Sequence, residues 1–348
     1  MLLILDFLLD FMKKSENLCL GIESTAHTWS AGIVDFQGNV IGLASDSYNP
    51  DKGGIHPALV REQHISNFKY IIKKCLKEAK CSIKDIDLIA FSQSPGLGPI
   101  LRIGAQVARM LSQLLSIPLI GVNHCIAHIE IGRLQCKIDD PLTLYVSGGN
   151  TIVSAFESER YQIFGETLDI PIGNMIDSFA RDAGLPHPGG PKVEKLALRS
   201  SHYLNLPYVV KGMDLSFTGL YTSAKRLLES NNFNKEYSLE DIAYSLQETS
   251  FSMLSEVTER ALAHTRKEEV LLTGGVAANK RLQEMIKKIS EEHGSRFEVV
   301  PLRFAGDNGA MIAWTGILRY LTEGSHEISE TKIRPKERMD NITIPWRD

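Results

Sequence analysis

The segment Pro118-Leu119-Ile120-Gly121-Val122-Asn123-His124-Cys125-Ile126-Ala127-His128 changes from a short apolar run to a pattern with two histidines. The apolar run, Pro118 to Val122, predicts a strand, and a helix carrying both histidines follows it. Histidines four residues apart project from the same face of a helix, and an imidazole nitrogen is the commonest metal ligand in proteins. Because α/β proteins place ligand sites at the carboxyl ends of their strands, the segment predicts an α/β fold with a metal site here.

The predicted elements on either side of this segment follow the same order twice. The first copy has three strands, a helix, a strand, a helix ending near Leu115, and then the strand and helix of the histidine segment. Its earlier elements are predicted at Leu18–Glu23, Ser30–Asp35, Val40–Ser47, Pro57–Ala79 and Asp85–Gln93. The second copy is predicted at Leu142–Val146, Thr151–Phe156, Tyr161–Thr167, Ile172–Ala183, Gly190–Arg199, Leu239–Arg266, Glu269–Thr273, Ala277–Glu292, Phe297–Val300 and from Asp307 to about Tyr320.

A duplicated β-β-β-α-β-α-β-α unit is the plan of the actin, sugar-kinase and DnaK-type chaperone superfamily, in which two lobes face each other across a cleft. We therefore expect an N-terminal lobe over residues 17–135 and a C-terminal lobe over residues 140–325, with an insertion near residues 185–238 and a tail over residues 326–348. His124 and His128 lie on the last helix of the first lobe, and Asp307 opens the last helix of the second. Because equivalent helices of such lobes meet at the cleft floor, Asp307 is expected to supply a third metal ligand.

The composition gives no general sign of nucleic-acid binding. The chain of 348 residues has a net charge of −4 and a pI near 6.2, so a nucleic-acid partner must meet local basic patches. Basic residues cluster in the predicted insertion, after a glycine turn and in the tail: Arg199, Lys211, Lys225, Arg226, Lys280, Arg281, Lys332, Arg334, Lys336, Arg338 and Arg347. The five cysteines form no Cys-x-x-Cys pair, which predicts reduced thiols and a cytoplasmic protein.

The apolar stretch from Met1 to Phe11 does not have the pattern of a targeting signal. Its lysines follow the apolar residues, it has no small-residue cleavage site, and it is too short to span a bilayer. We interpret it as a start-site error with Met12 as the true first residue, the alternative being a membrane or partner helix.

Two glycine-rich turns are candidates for a nucleotide site. Ser147-Gly148-Gly149-Asn150-Thr151 joins two predicted strands, and its glycines let backbone N–H groups face an anion, although an ordinary hairpin turn has the same pattern. Thr273-Gly274-Gly275-Val276-Ala277-Ala278-Asn279 follows a strand and opens a helix, which is the context of a phosphate or adenosine site. Since no Walker lysine follows these glycines, the sequence excludes a P-loop enzyme.

Four polar side chains near strand ends are further candidates. Glu23 and His27 lie where the first strand ends, which is the place of the first phosphate turn in a two-lobe protein. Asp177 and Glu194 follow the second set of strands, where carboxylates can hold ribose hydroxyls or a substrate amine. Each of the four is equally compatible with a structural or solvated charge.

The chain closely resembles the universal tRNA N6-adenosine threonylcarbamoyltransferase family, whose archaeal and eukaryotic members are the catalytic subunit of the KEOPS complex. The segments that carry the resemblance are Gly21–Thr28, Ser94–Gly98, Val122–Glu130, Tyr145–Thr151, Gly189–Ala197, Ser216–Leu220, Thr273–Asn279 and Gly306–Ala313. Tyr145 and Asn150 resemble the archaeal and eukaryotic branch in particular. Ser24 stands where many relatives have Gly, and Thr218 stands where many have Ser, but in both places one small residue replaces another.

This resemblance implies an enzyme with one divalent metal ion, iron or zinc, held by His124, His128, Tyr145 and Asp307. It implies substrate contacts at Tyr145, Val146, Ser147, Gly148, Gly149, Asp177, Gly190, Glu194 and Asn279, whereas for the general base Glu23 and His27 are candidates only. The family moves the threonylcarbamoyl group of threonylcarbamoyl-adenylate to N6 of the adenosine 3′ of the anticodon, in tRNAs that read ANN codons. The implied partners are tRNA and the KEOPS subunits, a small kinase-like ATPase and small accessory proteins, with no membrane. We expect Lys225 and Arg226 to contact the tRNA.

Two other functions remain open from the residues themselves. A metalloprotease of the sialoglycoprotein-endopeptidase kind would use the two histidines as in His-Glu-x-x-His, but Cys125 stands where the glutamate base is needed. A module that binds adenine nucleotide as a conformational ligand would use the glycine turns, but it would have no need for two histidines at the cleft floor.

Overall fold

The computed structural model describes residues 17–49 and 56–347, and the predicted leader, residues 1–11, lies outside this range. The first sheet has five strands in the order β3-β2-β1-β4-β5. Their bounds are Leu18–Glu23 (β1), Thr28–Asp35 (β2), Val40–Ser47 (β3), Leu88–Ser94 (β4) and Leu119–Asn123 (β5). β2 lies antiparallel to β1 and β3, whereas β4 lies parallel to β1 and β5. The carboxyl ends of β1, β4 and β5 therefore meet at one edge of the sheet, and His124 follows directly after β5.

Three helices complete the first repeat: Pro57–Ala79 (α1), Gly98–Leu115 (α2) and His124–Cys136 (α3). α3 begins at His124 because the side chain of Asn123 accepts hydrogen bonds from the backbone N–H groups of Cys125 and Ile126, at 3.0 and 3.2 Å. Every residue from His124 to Gly132 is buried, so this part of α3 is enclosed on all sides. Packing on every face fixes the rotamers of its side chains, which suits a helix that carries ligands.

The second repeat is built around a five-stranded sheet in the order β12-β11-β6-β7-β8. Its strands and a separate hairpin lie at Pro141–Val146 (β6), Thr151–Glu157 (β7), Arg160–Glu166 (β8), Val210–Lys211 (β9), Asp214–Leu215 (β10), Glu269–Thr273 (β11) and Arg296–Val299 (β12). Its helices lie at Ile172–Asp182 (α4), Gly190–Ala197 (α5), Thr218–Leu228 (α6), Leu239–Thr265 (α7), Lys280–Glu292 (α8), Leu302–Ala305 (α9) and Gly309–Glu323 (α10). The predicted order of strands and helices is confirmed in both repeats, and α5, α6 and the β9–β10 hairpin fall in the predicted insertion.

The last helix of the second repeat packs against the sheet of the first. The backbones approach so closely that a Cβ atom added at Gly21 or Gly32 would clash with the backbone of Gly309 or Ala310. The backbone N–H of Gly309 also donates to Oγ of Ser30, at 2.9 Å. The predicted boundary between the two lobes, between residues 135 and 140, stays a prediction. Although α10 belongs to the second repeat in sequence, it packs against the sheet of the first.

The last helix of the first repeat likewise contacts the second sheet. A Cβ atom added at Gly132 of α3 would lie 2.7 Å from a methyl carbon of Leu271 in β11 and 2.9 Å from one of Val300. The hydroxyl of Thr273, the last residue of β11, lies 3.4 Å from the carbonyl oxygen of His128. α3 and α10 thus lie side by side between the two sheets, and the start of α10 comes next to the histidines of α3.

One predicted helix is divided in the structure. The sequence predicts a helix from Ala277 to Glu292, whereas the chain forms a 3₁₀ turn at Gly275–Ala278 and then begins α8 at Lys280. Asn279 separates the two because its backbone is extended and its side chain caps α8, accepting from the backbone N–H of Leu282 at 3.2 Å. The amino terminus of α8 therefore lies three residues beyond the predicted start.

The tail returns from α10 across both repeats. The backbone N–H of Arg334 donates to the carbonyl oxygen of Gln93 in β4, at 3.0 Å, and that of Ile344 donates to Glu159 in the β7–β8 turn, at 2.8 Å. Within residues 17–49 and 56–347, every helix is too short or too polar to cross a bilayer.

Replacing Gly32 with alanine is expected to destabilise the protein. The added methyl group has no space between β2 and α10, and overpacking of this kind costs about 1–3 kcal/mol of unfolding free energy. The matched control is Gly219→Ala on α6, where a Cβ atom meets open space and alanine favours the helix. Urea unfolding of both variants measures the difference, and equal unfolding free energies would contradict the close packing of α10 on the first sheet.

Candidate metal centre

Three side chains from the two repeats converge on one point. His124 and His128 come from α3, and Asp307 lies two residues before α10. The Nε2 atoms of His124 and His128 lie 3.5 and 3.2 Å from Oδ1 of Asp307. One possible ligand atom from each residue lies within 4.8 Å of the other two. The arrangement is compatible with one metal ion shared by the two repeats.

Tyr145 adds a fourth possible donor, a phenol oxygen, to this group. It is the next-to-last residue of β6, and its Oη lies 3.3 Å from Nε2 of His124. The side chain of Asn150 donates to the same Oη at 3.3 Å, and only 1% of Tyr145 is exposed. Because Asn150 closes the glycine turn that follows β6, Tyr145 connects the histidine group to that turn.

Glu23 lies behind His124 and is completely buried. Its Oε2 atom lies 3.0 Å from Nδ1 of His124, and its Oε1 atom accepts from the backbone N–H and the hydroxyl of Thr25, both at 2.6 Å. Since an ionised carboxylate only accepts, Nδ1 carries a proton toward Glu23, and Nε2 is the ring nitrogen that faces Asp307. Glu23 therefore orients the imidazole, and this geometry does not support the alternative role of general base.

The charges of these residues favour the binding of a cation. Burial lowers the pKa of His124, but Glu23 and Asp307 more than offset this and raise it to about 9. Burial lowers the pKa of His128, which therefore stays neutral. Burial raises the pKa of Asp307, but His124 and His128 together hold it well below its usual range. In the absence of a metal, one imidazolium lies between two carboxylates, and a divalent ion would take over that positive charge.

The donor set fits a metal ion. Two imidazole nitrogens, a carboxylate oxygen and a phenol oxygen suit both iron and zinc. Burial raises the pKa of Tyr145 well above its ordinary value, so the phenol stays protonated unless a cation lies beside it. Nδ1 of His128 is buried without a hydrogen-bond partner in the described part of the chain, whereas its Nε2 faces the other donors. All four donors are thus available to one ion.

Glycines with free space around their Cα atoms lie next to Tyr145. A Cβ atom added at Gly148 or Gly149 would meet nothing within 4 Å, and the same is true of Gly190 and Gly275. Packing against other residues therefore does not explain glycine at these four positions. Glycines with open space above them leave the backbone N–H groups accessible to a ligand.

Two other glycines hold the open turn in place. A Cβ atom added at Gly173, at the start of α4, would lie 2.6 Å from the carbonyl oxygen of Ser147, and one at Gly274 would clash with that of Val146. Gly274 also has a φ of 95°, which side chains rarely adopt. These close approaches fix the end of β6 against α4 and the 3₁₀ turn.

The polar residues predicted to contact substrate form part of the surrounding framework. Oδ1 of Asp177 accepts from the backbone N–H of Gly189, and Oε1 of Glu194 accepts from that of Lys280, each at 2.8 Å. Asn279 caps α8 at the same place. These bonds hold α4, α5 and α8 around the open glycines, and they leave Oε2 of Glu194 for other contacts.

His27 faces a histidine that the sequence analysis missed. Its ring centroid lies 6.3 Å from that of His187, with the rings nearly perpendicular, and Nδ1 of His187 lies 4.0 Å from Oδ2 of Asp177. His27 follows β1 in the first repeat, whereas His187 lies between α4 and α5 in the second. His27 also lies close enough to Asp307 to contribute to the low pKa of that carboxyl group. The sequence feature that could have pointed to His187 is its position directly before the Pro188-Gly189-Gly190 run.

The sequence profile of the family described as tRNA N6-adenosine threonylcarbamoyltransferase matches residues 40–314. The chain is 53% identical to the tRNA N6-adenosine threonylcarbamoyltransferase of Thermococcus sibiricus over 329 residues, which cover 94% of this chain and 100% of the relative. It is also 53% identical to a probable bifunctional tRNA threonylcarbamoyladenosine biosynthesis protein of Methanothermobacter thermautotrophicus, over 94% of this chain and 61% of the relative. The chain thus spans about three fifths of the length of the bifunctional relatives that it matches.

Solved structures share the fold at low sequence identity. HypF of T. kodakarensis matches with a TM-score of 0.60 and 17% identity, over 87% of this chain and 47% of that chain. The activator of the 2-hydroxyisocaproyl-CoA dehydratase from Clostridium difficile matches with a TM-score of 0.53 and 10% identity, over 86% of this chain and 94% of that chain. These likenesses concern the fold alone, and they confirm the predicted two-lobe α/β class.

Replacing Glu23 with glutamine is expected to weaken metal binding about 10- to 100-fold, the usual effect of losing a carboxylate that orients a ligating histidine. The amide keeps the size of the side chain but can present an N–H to Nδ1 of His124. Chelator competition on the refolded apoprotein measures the affinity, and Glu194→Gln is the control because Glu194 touches no residue of the metal group. Unchanged affinity in Glu23→Gln would show that His124 does not depend on this hydrogen bond.

Proposed function

The chain belongs to the tRNA N6-adenosine threonylcarbamoyltransferase family, and we propose that it forms N6-threonylcarbamoyladenosine in tRNA. The threonylcarbamoyl group would pass from threonylcarbamoyl-adenylate to N6 of the adenosine 3′ of the anticodon, in tRNAs that read ANN codons. The observation that best supports this proposal is the group of His124, His128 and Asp307, joined through Tyr145 to a turn with open backbone. The site thus combines ligands for a cation with a backbone surface for a nucleotide.

We propose one iron or zinc ion per chain, held by His124, His128, Asp307 and Tyr145. The donor types and their separation support this set. Such an ion would supply Lewis-acid chemistry toward a carbonyl, carboxylate or phosphate oxygen of the donor substrate. The enclosure of α3 and the hydrogen bond from His124 to Glu23 keep the ligands in position before the substrate arrives.

We propose that the adenylate lies along the open glycines. The backbone N–H of Gly148 would face its anionic part, next to Val146 and Tyr145. The N–H of Ser147 instead donates to the carbonyl oxygen of Asn150, and that of Gly149 donates to Oγ of Ser147. The far side of this surface carries the residues proposed for the rest of the substrate: Asp177, Gly190, Glu194 and Asn279. The second carboxylate oxygen of Glu194 supports this assignment, because ribose hydroxyls donate to such acceptors, whereas Oδ2 of Asp177 already lies 4.0 Å from Nδ1 of His187.

The transfer step needs positioning and one proton acceptor. The N6 amine attacks the carbamoyl carbon, the bond from that carbon to the phosphate oxygen breaks, and AMP leaves with the bonding electrons. A base removes a proton from the amine. We assign this role to His27, because it is partly exposed beside the metal group whereas Glu23 is buried and has both oxygens engaged. His187 and Asp177 lie beyond it and can stabilise the charged imidazole.

The partners follow from the same proposal. The donor would come from a separate enzyme, and tRNA would be docked with the help of the KEOPS subunits, a small kinase-like ATPase and small accessory proteins. The net charge of −4 supports a dependence on partners, because a chain of this charge attracts RNA only through local patches. A cytoplasmic location is consistent with free cysteines at all five positions, all of which the structure describes.

The protease alternative lacks the glutamate base that a His-Glu-x-x-His helix requires. Cys125 stands where a His-Glu-x-x-His helix carries glutamate, and burial raises the pKa of its thiol to about 12. Glu23, which lies 3.0 Å from Nδ1 of His124, is fully buried and so does not face a substrate. A pure nucleotide module would leave the buried imidazole pair without a role.

A reconstituted modification assay tests the proposed function. The chain, its partners, threonylcarbamoyl-adenylate and an ANN-reading tRNA should yield the modified nucleoside, detected by mass spectrometry after digestion. A matched tRNA with guanosine in place of the target adenosine should give none, since it lacks the N6 amine. The chain without partners is expected to react more slowly. No product from the complete mixture would contradict the proposed function.

Two histidine variants separate metal binding from proton transfer. His128→Ala is expected to lose both the metal and the transfer activity, because it removes a ligand. His27→Asn should keep near one metal equivalent but lower the rate about 10²- to 10⁴-fold, the usual contribution of a general base.

The measurements are metal analysis by mass spectrometry and single-turnover transfer. His202→Asn is the control, since this exposed histidine of the insertion pairs with Asp241 of α7. A wild-type rate in His27→Asn would exclude His27 as the base, and full metal content in His128→Ala would exclude the ligand set.

A further inference from the structure

The tail runs along the edge of the first sheet that carries the site. After the bond from Arg334 to Gln93, the backbone N–H of Gly96 donates to the carbonyl oxygen of Pro335, at 3.1 Å. The side chain of Glu337 accepts from the hydroxyl of Ser94, the last residue of β4, at 2.6 Å. This segment therefore lies over the carboxyl end of β4, next to the start of α3, where α/β proteins bind ligands.

Alternate residues of this segment face the protein. Thr331 is fully buried and accepts from both Nε and an NH2 nitrogen of Arg109, at 2.8 and 2.6 Å through its hydroxyl and carbonyl oxygens. Ile333 packs against the core of the first sheet, Glu337 bonds Ser94, and Met339 is buried. The positions between them consequently face solvent.

Each of those outward positions is basic. They are Lys332, Arg334, Lys336 and Arg338, and all four are exposed; we call them the basic tail patch. Arg334 pairs with Glu337 at 2.8 Å, and Arg338 pairs with Glu166 of β8 and with Asp340, each at 3.0 Å. Lys332 and Lys336 make no ion pair with any described residue. The patch therefore keeps two uncompensated positive charges on a backbone anchored to both repeats.

We propose that the basic tail patch binds the phosphate backbone of the RNA substrate beside the site. This inference rests on the proposed function, since it names the surface that holds the tRNA while its adenosine enters the cleft. Lysines without carboxylate partners can neutralise phosphates without first breaking an ion pair. The buried alternate residues hold the segment in place, so little ordering entropy is lost on binding.

The predicted insertion is a weaker candidate for the RNA-binding surface than the sequence suggested. Nζ of Lys225 lies 3.2 Å from Oδ2 of Asp182, and the hydroxyl of Tyr221 donates to the same oxygen at 2.6 Å. An RNA phosphate would have to compete with that carboxylate for Lys225. Of the two residues predicted to contact the tRNA there, Arg226 is exposed and makes no ion pair with any described residue.

Charge reversal at the two unpaired lysines tests the proposal. The probe is an anticodon stem-loop RNA, and its affinity for the chain is measured by fluorescence anisotropy over a salt series. Lys332→Glu/Lys336→Glu should lower the affinity roughly tenfold or more at low salt and reduce the log–log salt slope by about 1.5 units, from two lost phosphate contacts. In the modification assay, KM for tRNA should rise while KM for the adenylate stays the same.

The matched control is Lys73→Glu/Lys74→Glu on α1, which reverses two exposed lysines that also make no ion pair with described residues. It should keep the wild-type slope and affinity. Lys332→Gln/Lys336→Gln should lie between wild type and the reversed variant, and urea unfolding confirms that each variant is folded.

An unchanged slope in the tail variant would overturn the proposal, as would an equal loss in the α1 control, which would reflect net charge alone. A loss confined to Lys225→Glu/Arg226→Glu would place the RNA on the insertion instead. If wild-type protein with its partners transfers the group while the tail variant keeps its KM for tRNA, this inference fails but the proposed function stands. If wild-type protein transfers nothing, the proposed function itself fails.

Discussion

The contact between Asp307 and the two histidines of α3 is the interaction on which the site depends. It joins a residue before the last helix of one repeat to the last helix of the other. Burying these charges is costly, and removing one member of a buried pair typically costs about 3–5 kcal/mol, because the other is left uncompensated. Replacing any one of Glu23, His124 and Asp307 therefore leaves the charges of the others uncompensated. Their arrangement is possible only because glycines at positions 21 and 32 let α10 approach the first sheet so closely.

The sequence predicted the elements well where local patterns determine them. Apolar strands, a helix that starts with Pro57 and the strand-to-helix change at His124 all have local signals, so the order of both repeats was correct. The grouping of His124, His128 and Asp307 required the duplication, since only pseudo-symmetry brings residues so distant in the chain together. The helix predicted from Ala277 began late because the capping role of Asn279 competes with continuation of the helix.

Other features of the site had no local signal. Glu23 is equally compatible with a base and with a buried hydrogen-bond partner until its two oxygens are seen to be engaged. The pairing of His27 with His187 depends on how two loops from different repeats meet. Likewise, the basic residues of the tail and of the insertion look alike in sequence. Only the structure distinguishes Lys225, which faces a carboxylate, from Lys332 and Lys336, which do not.

The site has an enclosed layer and an open layer, and the two make different physical demands. The enclosed layer holds His124, His128 and Tyr145, all at most 5% exposed, because a metal centre needs fixed donors and a low dielectric around them. The open layer is formed by loops: His27, His187 and the glycine turns, where exposed backbone and side chains can meet a large substrate. Tyr145 belongs to both, since its hydroxyl reaches His124 while Asn150 of the turn donates to it. A ligand that displaces the turn would therefore act on the histidine group through Asn150 and Tyr145, so the two layers are physically coupled.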